Sequence, residues 1–445
     1  MSSLTDIADV ATHVIKTATS LGAQEVMVAA SSSVYTELSQ RDGQIETCQE
    51  SRSRSVSVEV LVDDRYSAHS TNDLRPEAMS EFLKRAIEAT RFLEPDPDRR
   101  LVESDQMGSV SAASLDAIDP QWPPSSSSFR RNQVANLESA CLSAASHADV
   151  RSVTTAHWDG WVDSCLMSSN GFSGRWEQTS VGHGAQIALE DKDNRLPEAS
   201  AYYGARHRAD LPSIEMCANT LIERGLQRLG SHPAPSGQYP MLLENRSVGR
   251  LLRVLIGPLS GSAIYEGRSC LKGRLGDQLT DSAFSIIDDP LIPRASASRP
   301  FTGDGTPPTR RHILKDGVLE NFYINVYNSR RLNTPATSGG TSNLVIPPGP
   351  RSTGQILAGL PKAMVIRGFI GGNTNATTGD FSFGVHGTLF EHGNPTQAIS
   401  EMNISGNLFD LLERWAETAS DVWTHGAWRS PSLLFDGIQF SGTQC

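Results

Sequence analysis

The chain has 445 residues, enough for two or three hydrophobic cores at about 100–200 residues per domain. Its 50 Asp and Glu against 39 Lys and Arg leave a formal charge of −11, a field that repels polyphosphate and argues against direct nucleic-acid binding. No apolar run approaches the ~18–20 residues of a membrane span, and Met1-Ser2-Ser3-Leu4-Thr5-Asp6 has neither the basic start nor the apolar middle of a secretion signal, so a cytoplasmic location is expected.

Ser3 is placed to cap a first helix in which Leu4, Ile7, Ala8, Ala11, Val14, Ile15 and Ala18 recur at helical spacing, with Gly22 closing it. Short β-type runs follow over 25–30, 34–38, 45–49, 56–62 and 66–70, with turns at Asp42-Gly43 and Asp63-Asp64. Arg75-Pro76-Glu77 opens a second helix that reaches Phe92. Glu94-Pro95-Asp96-Pro97-Asp98 cannot continue it, because proline lacks the amide donor and restricts the residue before it, so 94–128 reads as a long connection. It is either an exposed linker, through Pro123-Pro124 and Ser125, or a strap along the surface. Leu115, Ile118 and Trp122 give it apolar groups to bury, which favours the strap.

A helix over 132–145, strands near 150–157, 161–168, 174–181 and 186–190, and a helix over 212–229 complete a first domain assigned to residues 1–230. Ser231-His232-Pro233-Ala234-Pro235-Ser236 then breaks all periodicity, and the Gly- and Pro-rich sequence over 237–445 reads as a second domain. The fold class is α+β: an N-terminal domain of antiparallel strands with flanking helices, followed by a mostly β C-terminal domain. Six cysteines, Cys48, Cys141, Cys165, Cys217, Cys270 and Cys445, are scattered without a Cys-x-x-Cys pair and read as free thiols.

The common catalytic constellations are weak here. No Gly-x-Ser-x-Gly elbow occurs, and Gly257-Pro258-Leu259-Ser260-Gly261 has the wrong spacing. Asp380, Ser382 and His386 could be gathered into a triad, yet Gly379-Asp380-Phe381-Ser382-Phe383-Gly384 more simply reads as a strand with polar and aromatic residues on opposite faces. Eleven histidines include no His-x-x-x-His pair, and Glu391-His392 reads as a hairpin turn ending at Gly393-Asn394. Asp288 and Asp289 are neighbours that a strand would point to opposite faces, which suits a turn or cap rather than an acid/base pair. Gly339-Gly340, Gly371-Gly372, Gly384 and Gly387 allow positive φ or close backbone approach. Beside the β segment 363–370 they suit a surface that receives an extended peptide, a surface against a partner subunit, or ordinary hairpin turns.

The run Gly371-Gly372-Asn373-Thr374-Asn375-Ala376-Thr377-Thr378-Gly379-Asp380-Phe381-Ser382-Phe383-Gly384-Val385-His386-Gly387 leads into Ser400-Glu401-Met402-Asn403-Ile404-Ser405-Gly406-Asn407-Leu408. With Arg41-Asp42-Gly43-Gln44-Ile45-Glu46, Ser168-Ser169-Asn170-Gly171 and Ile287-Asp288-Asp289-Pro290, it resembles the pattern of the TldD/PmbA family almost end to end. Members of that family are halves of a metallopeptidase once called modulators of DNA gyrase, and the TldD half carries its metal on a His-Glu-x-x-x-His helix. Here Arg253, Val254 and Pro258 stand at those three positions, and Trp423-Thr424-His425-Gly426-Ala427-Trp428-Arg429-Ser430-Pro431 lacks the cysteine expected to complete the site. A zinc ion needs imidazole, thiolate or carboxylate donors, which none of the three supplies.

The resemblance therefore implies a PmbA/TldE-type subunit with no metal, catalytic residue or cofactor of its own. It implies a heterodimer with a TldD-type partner that holds the zinc, and unfolded or extended peptides as substrate, such as modified precursors whose leader is removed. It makes Gly371, Gly372, Asn373, Asn375, Thr378, Asp380, Ser382 and His386 the candidate peptide- or partner-binding residues. The alternative is a stand-alone homodimer that holds peptides without cutting them. Thr302-Gly303-Asp304 stands in place of an Asp-x-Glu-Gly segment, so no family role for those acids carries over, and Glu59 where arginine is frequent implies a divergent branch with its own substrate.

Overall fold

The computed structural model describes residues 6–122 and 126–442, so the expected cap Ser3, with Leu4, Pro123, Pro124, Ser125 and Cys445, lies outside the described residues. Helix α1 (Ile7–Ser20) is capped by Asp6, whose carboxylate accepts from the Ala8 amide at 2.8 Å, and it buries Ile7, Val10, Ala11, Val14 and Ala18. Strands β1 (Glu25–Arg41), β2 (Gln44–Val62) and β3 (Arg65–Thr71) lead to α2 (Pro76–Thr90).

Runs that the sequence separates are single long strands. Ser31-Ser32-Ser33 and the Arg/Ser segment 51–55 carry no apolar alternation, yet β1 and β2 stay paired through them, with Ser31–Ser55 and Ser33–Ser53 hydroxyls at 3.0 and 2.7 Å. Apolar periodicity reports the core, and there the strands run beyond it. The same merging gives β4 (Val150–Ser168) and β5 (Ser173–Leu189), after α3 (Ser127–Ala144). Strand β6 (Glu198–Ala205), absent from the sequence reading, and α4 (Ile214–Leu226) complete this half.

The six strands form one antiparallel sheet in the order β3-β2-β1-β4-β5-β6. α1 and α2 pack on it through Val26, Val28, Val56, Val58 and Leu83, and α3 and α4 through Leu137, Cys141, Ile187 and Leu221. The connection 94–122 is a strap. Val102, Leu115 and Ala117 are buried, and its backbone donates from Gly108 to the Gly305 carbonyl and from Val110 to that of Pro300. Ile118, expected to be buried with them, is 44% exposed because Ala117, whose carbonyl accepts from the Thr179 amide, takes the inward position. The five described cysteines are free.

The strand-rich C-terminal domain begins with β7 (Gly237–Leu243), α5 (Asn245–Leu251), α6 (Arg253–Ile256) and α7 (Gly261–Tyr265). It continues with β8 (Ile286–Asp289), β9 (Arg311–Lys315), β10 (Val318–Leu319), α8 (Val326–Leu332), β11 (Asn343–Val345) and α9 (Thr353–Ala358). The last stretch holds β12 (Lys362–Thr374), β13 (Asp380–Glu391), β14 (Asn394–Asn407), α10 (Leu408–Glu413), β15 (Trp415–Thr418), β16 (Trp428–Arg429) and β17 (Leu433–Gly442). One sheet has the order β14-β13-β12-β7-β17-β15, and β14 also pairs with β17, which curls it into a barrel-like shape around Leu251, Leu255, Ile366, Phe383, Phe435 and Phe440. A second sheet runs β10-β9-β8-β11-β16.

Local turn chemistry matches expectation. His392 and Gly393 both have positive φ, 48° and 79°, at the β13–β14 hairpin. Asp289 accepts from the Leu291 amide at 2.9 Å and so fits the expected turn role, whereas Asp288 does not: it is buried in β8 and accepts from the amide and hydroxyl of Ser342 in a distant segment. No described helix is long and apolar enough to cross a membrane.

Candidate functional site

The glycine-rich signature is the β12–β13 hairpin. Gly371 and Gly372, at φ 69° and 118°, form a bulge where the ladder skips from Ile370 to Asn373. A β-carbon at Gly372 would stand 2.2 Å from the Phe383 ring and 2.6 Å from the Ser382 carbonyl oxygen. At the tip, Asp380 accepts from the Thr378 hydroxyl at 2.6 Å and the Asn407 side-chain amide at 2.9 Å, and Asn375 accepts from the Thr377 amide. These bonds hold the Asp380 carboxyl below its ordinary pKa. Much of the polar signature is thus engaged in shaping the hairpin end.

That tip has a fixed neighbour. The Cys270 amide donates to the Ala376 carbonyl at 3.0 Å, the Thr377 hydroxyl reaches the Arg268 carbonyl, and a β-carbon at Gly257 would touch Ala376 at 3.5 Å. The hairpin therefore ends against the segment 257–270 that follows α6. Asp380, Ser382 and His386 do not converge: six residues of strand separate the outer two by about 20 Å. Ser382 and Asn373 pair across the ladder near the tip, whereas His386 lies further along β13. His386 faces a cavity of about 390 Å³ with Arg224, Arg228 and Arg367, and burial followed by those three cations depresses it to about 4.

Helices α5 and α6, with the segment that follows them, carry the residues that the family resemblance sets at the metal positions, and the residues present do not fit a metal. Arg253 is exposed, Val254 is 1% exposed within the core, and the Pro258 carbonyl accepts from the Ser269 hydroxyl at 2.6 Å. The helix is interrupted at Leu252, so α6 is a single turn. Among the described residues no group of three His, Cys, Asp or Glu side chains converges anywhere.

The segment 421–432 returns to these helices. Asp421 accepts from the Asn245 side-chain amide and from the Ser432 hydroxyl, pinning the start of α5 to the returning chain. Trp428 then covers Gly249. Arg246 lies 4.1 Å from the Trp423 ring centroid and 4.8 Å from that of Tyr203, and it donates to the Tyr203 hydroxyl. His425 completes this stack at 4.9 Å from Trp423 and 5.2 Å from Tyr203, and burial, then Arg246 and Arg429, lower its pKa. The sequence reading missed the cluster. In sequence, 423–431 stands out only for the cysteine it lacks, and β6 has no signal beyond the β-forming run Ala199-Ser200-Ala201-Tyr202-Tyr203.

Two family models match the chain, the PmbA/TldA metallopeptidase domain 1 over residues 26–90 and the PmbA/TldA metallopeptidase C-terminal domain over 236–442. Metalloprotease PmbA of Escherichia coli O157:H7 is 25% identical over 423 residues, covering 93% of this chain and 92% of that one. A crystal structure from Bacteroides thetaiotaomicron, described as a candidate modulator of DNA gyrase, is 30% identical, with a TM-score of 0.93 over 98% of this chain and 99% of that one. TldE from Thermococcus kodakarensis, 17% identical, shares the fold with a TM-score of 0.81 over 97% of this chain and all of its own.

Proposed function

Because the chain belongs to the PmbA/TldD metallopeptidase family, we propose that it is the TldE/PmbA-type half of a two-subunit peptidase, which contributes walls of the substrate chamber and leaves hydrolysis to a TldD-type partner. The observation that carries this reading is that Arg253, Val254 and Pro258, which the family resemblance sets at the metal positions, offer no donor atom, with Trp428 seated on the same helix pair. A guanidinium held positive repels a dication, and valine and proline side chains have no lone pair to offer. Zinc then resides in the partner, and the complex acts on unfolded or extended peptides, including precursors that lose a leader, in the cytoplasm. The β12–β13 hairpin, with Gly371, Gly372, Asn373, Asn375, Thr378, Asp380, Ser382 and His386, is the surface offered to the partner or the peptide.

The test is purification of the chain alone and with a TldD-type protein bearing His-Glu-x-x-x-His, followed by zinc analysis and cleavage of an unstructured peptide. Zinc and cleavage are expected with the mixture and not with the chain alone. Chelator-sensitive hydrolysis by the isolated chain overturns the reading, and failure to form a mixed complex favours the stand-alone homodimer instead.

A further inference from the structure

We propose that the cavity between the edge strands β6 and β16 binds carboxylate groups of an extended peptide, so that the chamber selects for acidic side chains or a free C-terminus. The inference rests on the peptide-holding role proposed above and adds a chemical preference to it.

The cavity measures about 530 Å³ and is lined by Trp158, Gly204, Arg206, Ser296, His425 and Arg429 among others. Its charges are unbalanced. Arg206 is 8% exposed and donates only to the carbonyls of Thr179 and Ser296, while its Nε is buried without a hydrogen-bond partner. Arg429 donates to the Thr424 carbonyl, and burial lowers its pKa as it does that of Arg206. Arg246, behind His425, is held by two aromatic rings and the Tyr203 hydroxyl. Among the described residues none of these three arginines has an ion pair with a carboxylate. The acid that lines the cavity, Asp210, is already engaged by Arg294 at 3.3 Å, which also binds Asp116.

Burying the Arg206 guanidinium beside the half-buried Arg429 without counter-charges is costly, and a chain with a formal charge of −11 has carboxylates to spare for structural pairing. Their absence here leaves a positive hollow that an incoming anion would complete, with planar guanidinium forks suited to carboxylate geometry. The walls favour a peptide as the carrier. β6 ends the N-terminal sheet and β16 ends the five-stranded C-terminal sheet, so two strand edges border the space, a setting suited to an extended segment.

The experiment measures fluorescence anisotropy of a labelled unstructured peptide carrying three glutamates, its glutamine counterpart, and C-terminally amidated forms of both, on the full chain. A carboxylate peptide is expected to bind at least about tenfold tighter than the amidated glutamine form, and Arg429→Gln should remove most of that difference. Arg206→Gln risks misfolding because Arg206 ties Thr179 to Ser296, so Arg429→Gln, checked by circular dichroism, is the deciding variant. His425 faces Arg246 and Arg429, which lower its pKa, and Asp210 and the Gly204 backbone, which raise it, so its imidazole resonance should titrate at higher pH once a bound carboxylate offsets the two arginines further. Preference that survives amidation assigns the acidic side chains, and preference lost on amidation assigns the C-terminus. Equal binding of all four peptides, no saturable binding, or competition by an oligonucleotide at the same concentration overturns the proposal. The assay reads charge preference alone, so zinc-dependent cleavage by the isolated chain would count against the subunit role and not against this site.

Discussion

Trp428 stands directly over Gly249: a β-carbon added at position 249 would lie 2.7 Å from Cγ of the indole, in a chain where the two residues are far apart in sequence. Glycine in helix α5 costs about 1 kcal/mol relative to alanine in propensity, so its presence reflects the indole rather than the helix. Gly249→Ala should therefore lower stability by about 1–3 kcal/mol in urea unfolding, although alanine is the better helix former. Combined with Trp428→Ala, it should add little further loss, and a strictly additive double variant would show that the two do not touch.

Gly372→Ala meets two obstacles at once, a φ of 118° and the Phe383 ring with the Ser382 carbonyl. A loss of about 2–4 kcal/mol is expected, with faster proteolysis of the β12–β13 hairpin. Gly371→Ala, at φ 69° with open space around its missing β-carbon, should cost nearer 1 kcal/mol. Equal losses at the two positions would argue against the packed bulge.

Arg130 and Asp159 form a two-pronged pair, with both bonds at 2.7 Å and side chains 10% and 2% exposed. Asp159→Asn leaves a guanidinium charge uncompensated beneath the sheet, and thermal or urea unfolding should show a loss of about 3–5 kcal/mol. Glu81→Gln, which breaks the exposed Arg85–Glu81 pair on α2, should change stability by under about 0.5 kcal/mol.

His157 gives a pH dependence with a definite sign. Its Nε2 lies 3.8 Å from Asp159, which would ordinarily raise its pKa, but Arg130 already holds that carboxylate and burial dominates. The imidazole falls from 6.5 to about 4, and both ring nitrogens lack hydrogen-bond partners. The unfolded chain thus binds a proton that the folded one refuses. Stability from this residue is complete above pH 6.5 and is lost as pH falls toward 4, by up to about 3 kcal/mol. Urea midpoints at pH 7 and 4.5 should diverge less in His157→Gln than in the natural chain, and equal divergence would rule His157 out as the source.

What the sequence could show was whatever local spacing dictates. The Asp42-Gly43 and His392-Gly393 turns, the Asp289 turn and the two-part α+β plan all follow from residues within a few positions of one another, whereas the Asp288 bond to Ser342 does not. Strand length was not legible, because the serine stretches of β1 and β2 are held by their ladder and by hydroxyl pairs rather than by an apolar face. The cavity was less legible still. Arg206, Arg246 and Arg429 share a neighbourhood only because β6, α5 and β16 are brought together from distant parts of the chain, and no spacing rule connects them.

The same long-range dependence governs an attempt to rebuild a metal site. Arg253→His, Val254→Glu and Pro258→His would set the His-Glu-x-x-x-His side chains at these positions, but not in the setting a metal site needs. Position 254 is 1% exposed in the core, so a glutamate there would be buried without a partner, at a cost of several kcal/mol. α6 remains a single turn, and Trp428, not a cysteine, lies in the segment that returns to this helix pair. The triple variant should therefore be less stable in urea, carry well under one equivalent of zinc after dialysis, and leave an unstructured peptide uncut. A full, tightly held equivalent of zinc would mean instead that the helix pair keeps the geometry of a metal site and has lost only its donor atoms.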